Sequence, residues 1–238
     1  MKLSPIFKKD EITSVRRFIL PTLITIVNGS LAMLVLMNLF YVTKSARATG
    51  EISYVNFLRI YYIAAFTELL LILLIAPALT ASSISGERER KTLGLLLTTQ
   101  LDPWDIVIGK MLGALSTLLL LVATSVPILA TVYIYGGITL LQVAGYFSML
   151  MISSVFCTSI GIMASSFIST TAAATAVAYV IIFLSYFGMM SVVYFRESLG
   201  ISDARLVIVS TLLFLAVSVF MLYISKRHIT PHRRRIRQ

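Results

Sequence analysis

Ser85-Gly-Glu-Arg-Glu-Arg-Lys-Thr-Leu-Gly-Leu-Leu-Leu-Thr-Thr-Gln-Leu-Asp-Pro-Trp-Asp-Ile-Val-Ile-Gly-Lys110 is a polar stretch set between two long apolar ones. It holds four cations (Arg88, Arg90, Lys91, Lys110) and four anions (Glu87, Glu89, Asp102, Asp105). Outward from it in both directions the chain turns apolar. Over 238 residues, 58% are hydrophobic and 13% charged, and the mean hydropathy is +0.93. One soluble core cannot hide that much apolar surface, so composition points to an all-α integral membrane protein.

Apolar runs long enough to cross about 30 Å of hydrocarbon at about 1.5 Å per residue predict six transmembrane helices. They cover about 18–42, 57–84, 104–135, 140–167, 171–195 and 206–225. Residues 1–17 precede them and fit either an interfacial helix, with Ile6, Phe7, Ile12, Val15 and Phe18 on its apolar side, or a solvated tail. The first run is too long for a signal peptide and lacks a small-residue cleavage site, so it is expected to stay attached as span one. Residues 43–56 read as a polar loop, Gly136-Gly137 as a tight turn, and 226–238 as a basic tail. Pro77 is expected to kink the inner half of span two. Small residues in span four (Ser153, Ser154, Gly161, Ala164, Ser165) and at the start of span five favour close helix packing. No linker or repeat divides the chain, which predicts a single domain over 1–238.

With six spans both termini share a side, and fifteen of the twenty cations fall there against five on the other. The positive-inside rule then places both termini and the opening stretch in the cytoplasm. The net charge of +10 would suit a nucleic-acid binder, but no basic stripe is interleaved with exposed aromatics. The cations flank apolar spans instead, so the expected contact is anionic lipid and not nucleic acid. Cys157 stands alone and allows no intrachain disulfide.

Three polar residues inside the spans are candidate substrate-path or helix-packing positions: Glu68, Asn28 and Asn38. A carboxylate deep in an apolar run needs a partner, water or a cavity, so structural support, path lining and proton coupling all fit Glu68. Asn28 and Asn38 are expected to face other helices.

Within the opening stretch, Ser85 reads as the cap of a short helix whose first turn holds Glu87 and Glu89. Leu93, Leu96 and Leu97 then form an apolar stripe. Asp102-Pro103-Trp104-Asp105 reads as a second helix start that launches span three, with Trp104 at the interface.

Ile84-Ser-Gly-Glu-Arg-Glu-Arg-Lys-Thr-Leu-Gly-Leu-Leu-Leu97, then Leu101 and Ile108-Gly-Lys110, resembles the signature loop of the ABC type-2 permeases. The matching positions are Glu87, Thr92, Leu93, Leu96, Leu97, Gly109 and Lys110; Lys91 departs from a Gly that often precedes the Thr. Ser4-Pro-Ile-Phe-Lys-Lys9 ahead of Arg16-Arg17 resembles that family's N-terminal interfacial helix more weakly. The resemblance implies the transmembrane subunit of an ABC exporter. Its loop between spans two and three would be a cytoplasmic coupling helix seated on an ABC ATPase subunit. The implied coupling residues are Glu87, Arg88, Glu89, Arg90, Lys91, Thr92, Leu93, Leu96 and Leu97. A second permease, identical or related, completes the implied assembly. The chain carries no Gly-x-x-x-x-Gly-Lys-Ser/Thr loop, so ATP and Mg are expected on the partner and no cofactor here. Cargo of amphipathic, peptide, lipid or drug-like character suits the apolar spans. A membrane enzyme fares poorly because His228 and His232 lie in the tail and no second buried acid faces Glu68; a secondary transporter lacks the inverted repeat expected of it.

Overall fold

The computed structural model describes residues 19–49, 54–92, 103–134, 139–194 and 203–236. All the regular structure among them is helical: α1 (Ile19–Thr49), α2 (Tyr54–Thr80), α3 (Ser82–Glu89), α4 (Pro103–Ile134), α5 (Leu140–Phe167), α6 (Thr171–Tyr194) and α7 (Asp203–Ile236). Six helical stretches are long and apolar enough to cross a membrane, and they follow the six runs read from the sequence. Residues 1–18, with the expected interfacial helix, lie outside the described residues, as do Leu93, Leu96, Leu97, Asp102 and the expected turn at Gly136-Gly137.

Helix ends differ from apolar-run ends: the helix of span two starts at Tyr54, inside the expected loop, and stops at Thr80, before the expected end at 84. α1 continues through residues 43–49, expected as loop, and α7 continues past 225 through the basic segment to Ile236. Hydropathy reports where a chain enters lipid, whereas a helix ends where its hydrogen-bond ladder stops. Lys and Arg are good helix formers, so a basic segment need not break the ladder.

Residues within 73–115 and 152–238 form one compact unit, and those within 12–72 and 116–151 a second. In the first unit, Ile84, Ile106, Val107 and Ile162 build a buried cluster, flanked by Met111 and Leu222. α5 supplies its most buried wall, with Phe156, Cys157, Ile160 and Ile162 almost fully covered. Its serines and threonines stay buried because they bond to their own helix: Thr158 donates to the Ser154 carbonyl, Ser159 to Val155 and Ser166 to Met163. Small side chains also permit close approach. A Cβ added to Gly161 would lie 1.8 Å from Thr80 Oγ1 and 2.8 Å from Thr80 Cβ. On α6, Ala174 and Ala178 are fully buried, in keeping with the expected helix interface.

Pro77 lies inside α2. It has no N–H to give the carbonyl four residues back. Beside that position, Tyr179 of α6 donates its hydroxyl to the Leu74 carbonyl at 2.6 Å. α2 then ends at Thr80, one turn residue at Ala81 intervenes, and α3 begins.

In the second unit, Val35, Ile60, Tyr61, Ala64 and Leu129 form one buried cluster, and Ile72, Val122 and Leu150 another. Elsewhere large apolar side chains face outward, among them Met33, Phe40, Phe183, Phe187 and Phe220. Such exposure is costly in water and neutral in lipid.

Candidate functional site

The charged half of the opening stretch forms α3 and the turn after it. The helix starts at Ser82, three residues before the expected cap at Ser85. Ser85 is buried inside it and donates its hydroxyl to the Ala81 carbonyl at 2.7 Å. No side chain of its own caps the start of α3. That task falls to α5: Ser165 Oγ accepts the Ile84 and Ser85 backbone N–H groups, both at 2.8 Å. A capping residue about eighty positions away cannot be found from local pattern, so in the sequence Ser165 reads only as a small residue.

The far end of α3 closes in a complete Schellman motif. The Lys91 N–H reaches the Arg88 carbonyl at 3.0 Å, and the Thr92 N–H reaches the Glu87 carbonyl at 2.9 Å. Lys91 sits at the left-handed position, with φ of 59°. This gives the departure from Gly a physical meaning: the position ends the helix and asks for positive φ, which a side chain adopts at a cost of about 1–2 kcal/mol. Lys91→Gly is therefore expected to raise the thermal stability of the detergent-solubilised chain by about 1 kcal/mol, read by a melting curve.

Of the matched positions, Glu87, Thr92 and Lys110 come together. Lys110 Nζ lies 3.5 Å from Glu87 Oε1, with the two side chains 10% and 30% exposed. Thr92 Oγ1 donates to Glu87 Oε2 at 2.5 Å. Gly109 is buried beside Lys110. The Lys of the Gly-Lys pair, about two turns into α4, is thus tied to the Glu that opens the charged run.

Arg88 and Glu89 reach the junction of α5 and α6. Arg88 Nη2 donates to the Ser166 carbonyl at 2.9 Å, one of the last carbonyls of α5. Glu89 Oε1 accepts the Thr171 N–H at 2.7 Å, at the first residue of α6. The Thr171 hydroxyl stands 3.2 Å from both Glu89 oxygens. A cation at a helix C-terminus and an anion at an N-terminus each oppose the local partial charge, worth about 0.3–1 kcal/mol where solvent reaches. Arg90 and Lys91, by contrast, are exposed.

Nearby, Lys226 of α7 places Nζ 4.8 Å from the Trp104 ring centroid. His228 stacks on Phe167 with centroids 4.2 Å apart.

The second unit holds the polar residues of the spans. Glu68 is fully buried. Tyr146 of α5 donates to Glu68 Oε2 at 2.7 Å, and Ser125 of α4 bonds to Oε1. Glu68 thereby joins spans two, three and four. Local pattern does not mark Ser125 and Tyr146 as its partners, because a hydroxyl in an apolar run can equally bond to its own helix, as Ser125 does at the Val122 carbonyl. Asn28 donates from Nδ2 to Thr124 Oγ1 at 2.8 Å, linking α1 to α4. Asn38 is half-buried and donates to the Leu34 carbonyl of its own helix. No group of three or more metal-ligating side chains occurs among the described residues.

The sequence matches, over residues 5–215, a family model described as ABC-2 family transporter protein. The chain belongs to the ABC-2 transporter family. The match spans most of the 238 residues and covers α3 and its contacts, so this ABC-2 chain is an ABC transporter permease and a multi-pass membrane protein. No curated protein matches it.

Proposed function

We propose that this ABC-2 chain is one permease domain, spanning 1–238, of an exporter driven by separate ATPase subunits that bind ATP and Mg. A second permease, identical or related, faces it across the assembly. Both termini and α3 lie in the cytoplasm of a bacterial or archaeal plasma membrane, a placement supported by the fifteen-to-five division of cations. The cargo is amphipathic, a peptide, a lipid or a drug-like molecule. Glu68 and Asn28 serve chiefly to hold spans together, since both reach across helices.

One observation carries the coupling role. Neighbouring charges of the segment are engaged within the chain, Glu87 with Lys110 and Thr92, Arg88 with α5 and Glu89 with α6. Arg90 and Lys91 at the end of α3 are exposed. An exposed cationic tip on a helix so anchored suits docking to an acidic surface of the ATPase.

Affinity purification of the tagged chain from its native membranes tests this. An ATPase is expected to co-purify. Reversing both charges, Arg90→Glu with Lys91→Glu, is expected to reduce the recovered ATPase by about tenfold or more, because like charges across an interface cost several kcal/mol. Unchanged recovery would count against the docking site. Substrate movement on an ion gradient with no ATPase present would replace the whole reading.

A further inference from the structure

The consecutive, oppositely charged side chains Arg88 and Glu89 each engage a different helix terminus, and the two termini belong to successive spans. Arg88 holds a terminal carbonyl of α5, where the peptide dipoles leave partial negative charge. Glu89 holds the first N–H of α6, where they leave partial positive charge. Only residues 168–170 separate the two helices. At the other end of α3, Ser165 accepts the Ile84 and Ser85 N–H groups. α3 is therefore fastened to the last turn of α5 near its start, and to the end of α5 and the first residue of α6 near its own end.

Resting on the proposed coupling role of α3, we infer that Arg88 and Glu89 are positioning residues that clamp the α5–α6 turn, so that displacement of α3 is delivered to spans four and five together. The clamp reads fixed backbone polarity. A helix terminus cannot reverse its sign, so the order Arg-then-Glu matters and an inverted pair would repel both termini. An ordinary ion pair between two side chains has no such directionality. α3 also contacts α6 directly, which makes the α6 terminus the second attachment and not a remote one.

The test uses the full chain with its co-purified ATPase in nanodiscs, with hydrogen exchange followed over residues 168–175. In Glu89→Ala, exchange of this segment is expected to rise about tenfold without nucleotide, because the Thr171 amide loses its acceptor. Adding ATP with vanadate should change exchange there in the unaltered complex and leave it unchanged in the variant, although the ATPase remains bound. Glu89→Gln keeps an acceptor oxygen and should restore most of the protection. The exchanged pair, Arg88→Glu with Glu89→Arg, should be no better than either single change. Unaltered exchange in Glu89→Ala, or full rescue by the exchanged pair, would overturn the clamp. The nucleotide-free arm needs no ATPase, so it judges the clamp even where the proposed partnership fails. A nucleotide response that survives in Glu89→Ala would overturn transmission while leaving the coupling role of α3 intact.

Discussion

Gly161→Ala is expected to destabilise the chain more than any other single methyl addition in α5. The new Cβ would fall 1.8 Å from Thr80 Oγ1, 2.8 Å from Thr80 Cβ and 3.4 Å from the Ala81 nitrogen. Rotating the Thr80 side chain moves Oγ1 but not Cβ, and it breaks the 2.8 Å bond from Oγ1 to the Ala76 carbonyl. Relief therefore requires α5 to move from the end of α2. That movement also stretches the Ser165 bonds to Ile84 and Ser85. Overpacking of this kind costs typically about 1–3 kcal/mol and more where backbone must shift, so a loss of about 3 kcal/mol is expected. At about 2–4 °C per kcal/mol for a chain of this size, the melting temperature in detergent should fall by roughly 6–12 °C. Thr80→Gly removes both offending atoms, so the double variant should recover part of the loss, giving a favourable coupling energy in a double-mutant cycle. A neutral Gly161→Ala would mean the helices are not held this close.

Glu68→Ala is the second large effect, and Glu68→Gln is its control. The alanine removes the acceptor shared by Ser125 and Tyr146 and leaves a cavity among spans two, three and four. Each hydroxyl has a second acceptor within reach. Ser125 Oγ lies 2.7 Å from the Val122 carbonyl, and Tyr146 Oη lies 3.0 Å from the Ala65 carbonyl. Neither is left orphaned, so the cost is mainly the cavity, about 2–4 kcal/mol. Glutamine preserves shape and can accept from Tyr146 while donating to Ser125, so its cost should stay under about 1 kcal/mol. Melting curves of both variants decide the matter. Glutamine as harmful as alanine would show that the carboxyl group, not the packing, is what the spans require.

Much of the fold was legible in the chain. Six apolar runs give six spans because lipid thickness fixes a minimum length and because a backbone in hydrocarbon must bond to itself. Helix ends were less legible, as α1 and α7 show. The short helix after span two was expected to start at Ser85 with two acids in its first turn. Instead, Glu87 and Glu89 fall at its end. Acidic residues normally favour the N-terminus of their own helix. Glu89 obeys the rule at a different helix, since it caps α6, and Glu87 is held by Lys110 and Thr92. Local pattern could find the charges but not the helix they serve.

The polar stretch between spans two and three was thus marked by sequence alone as an interruption, charged, with Glu87, Thr92 and Lys110 at family-matching positions. Composition and run length also determined the membrane class, because transfer of apolar surface is additive along a chain and independent of its neighbours. Tertiary structure alone decided what each charge touches. Ser165, Ser166 and Thr171 stand about eighty residues from their partners. Such contacts arise only when α5 and α6 pack against α3, where backbone groups at helix ends that lack a local partner take one from another helix.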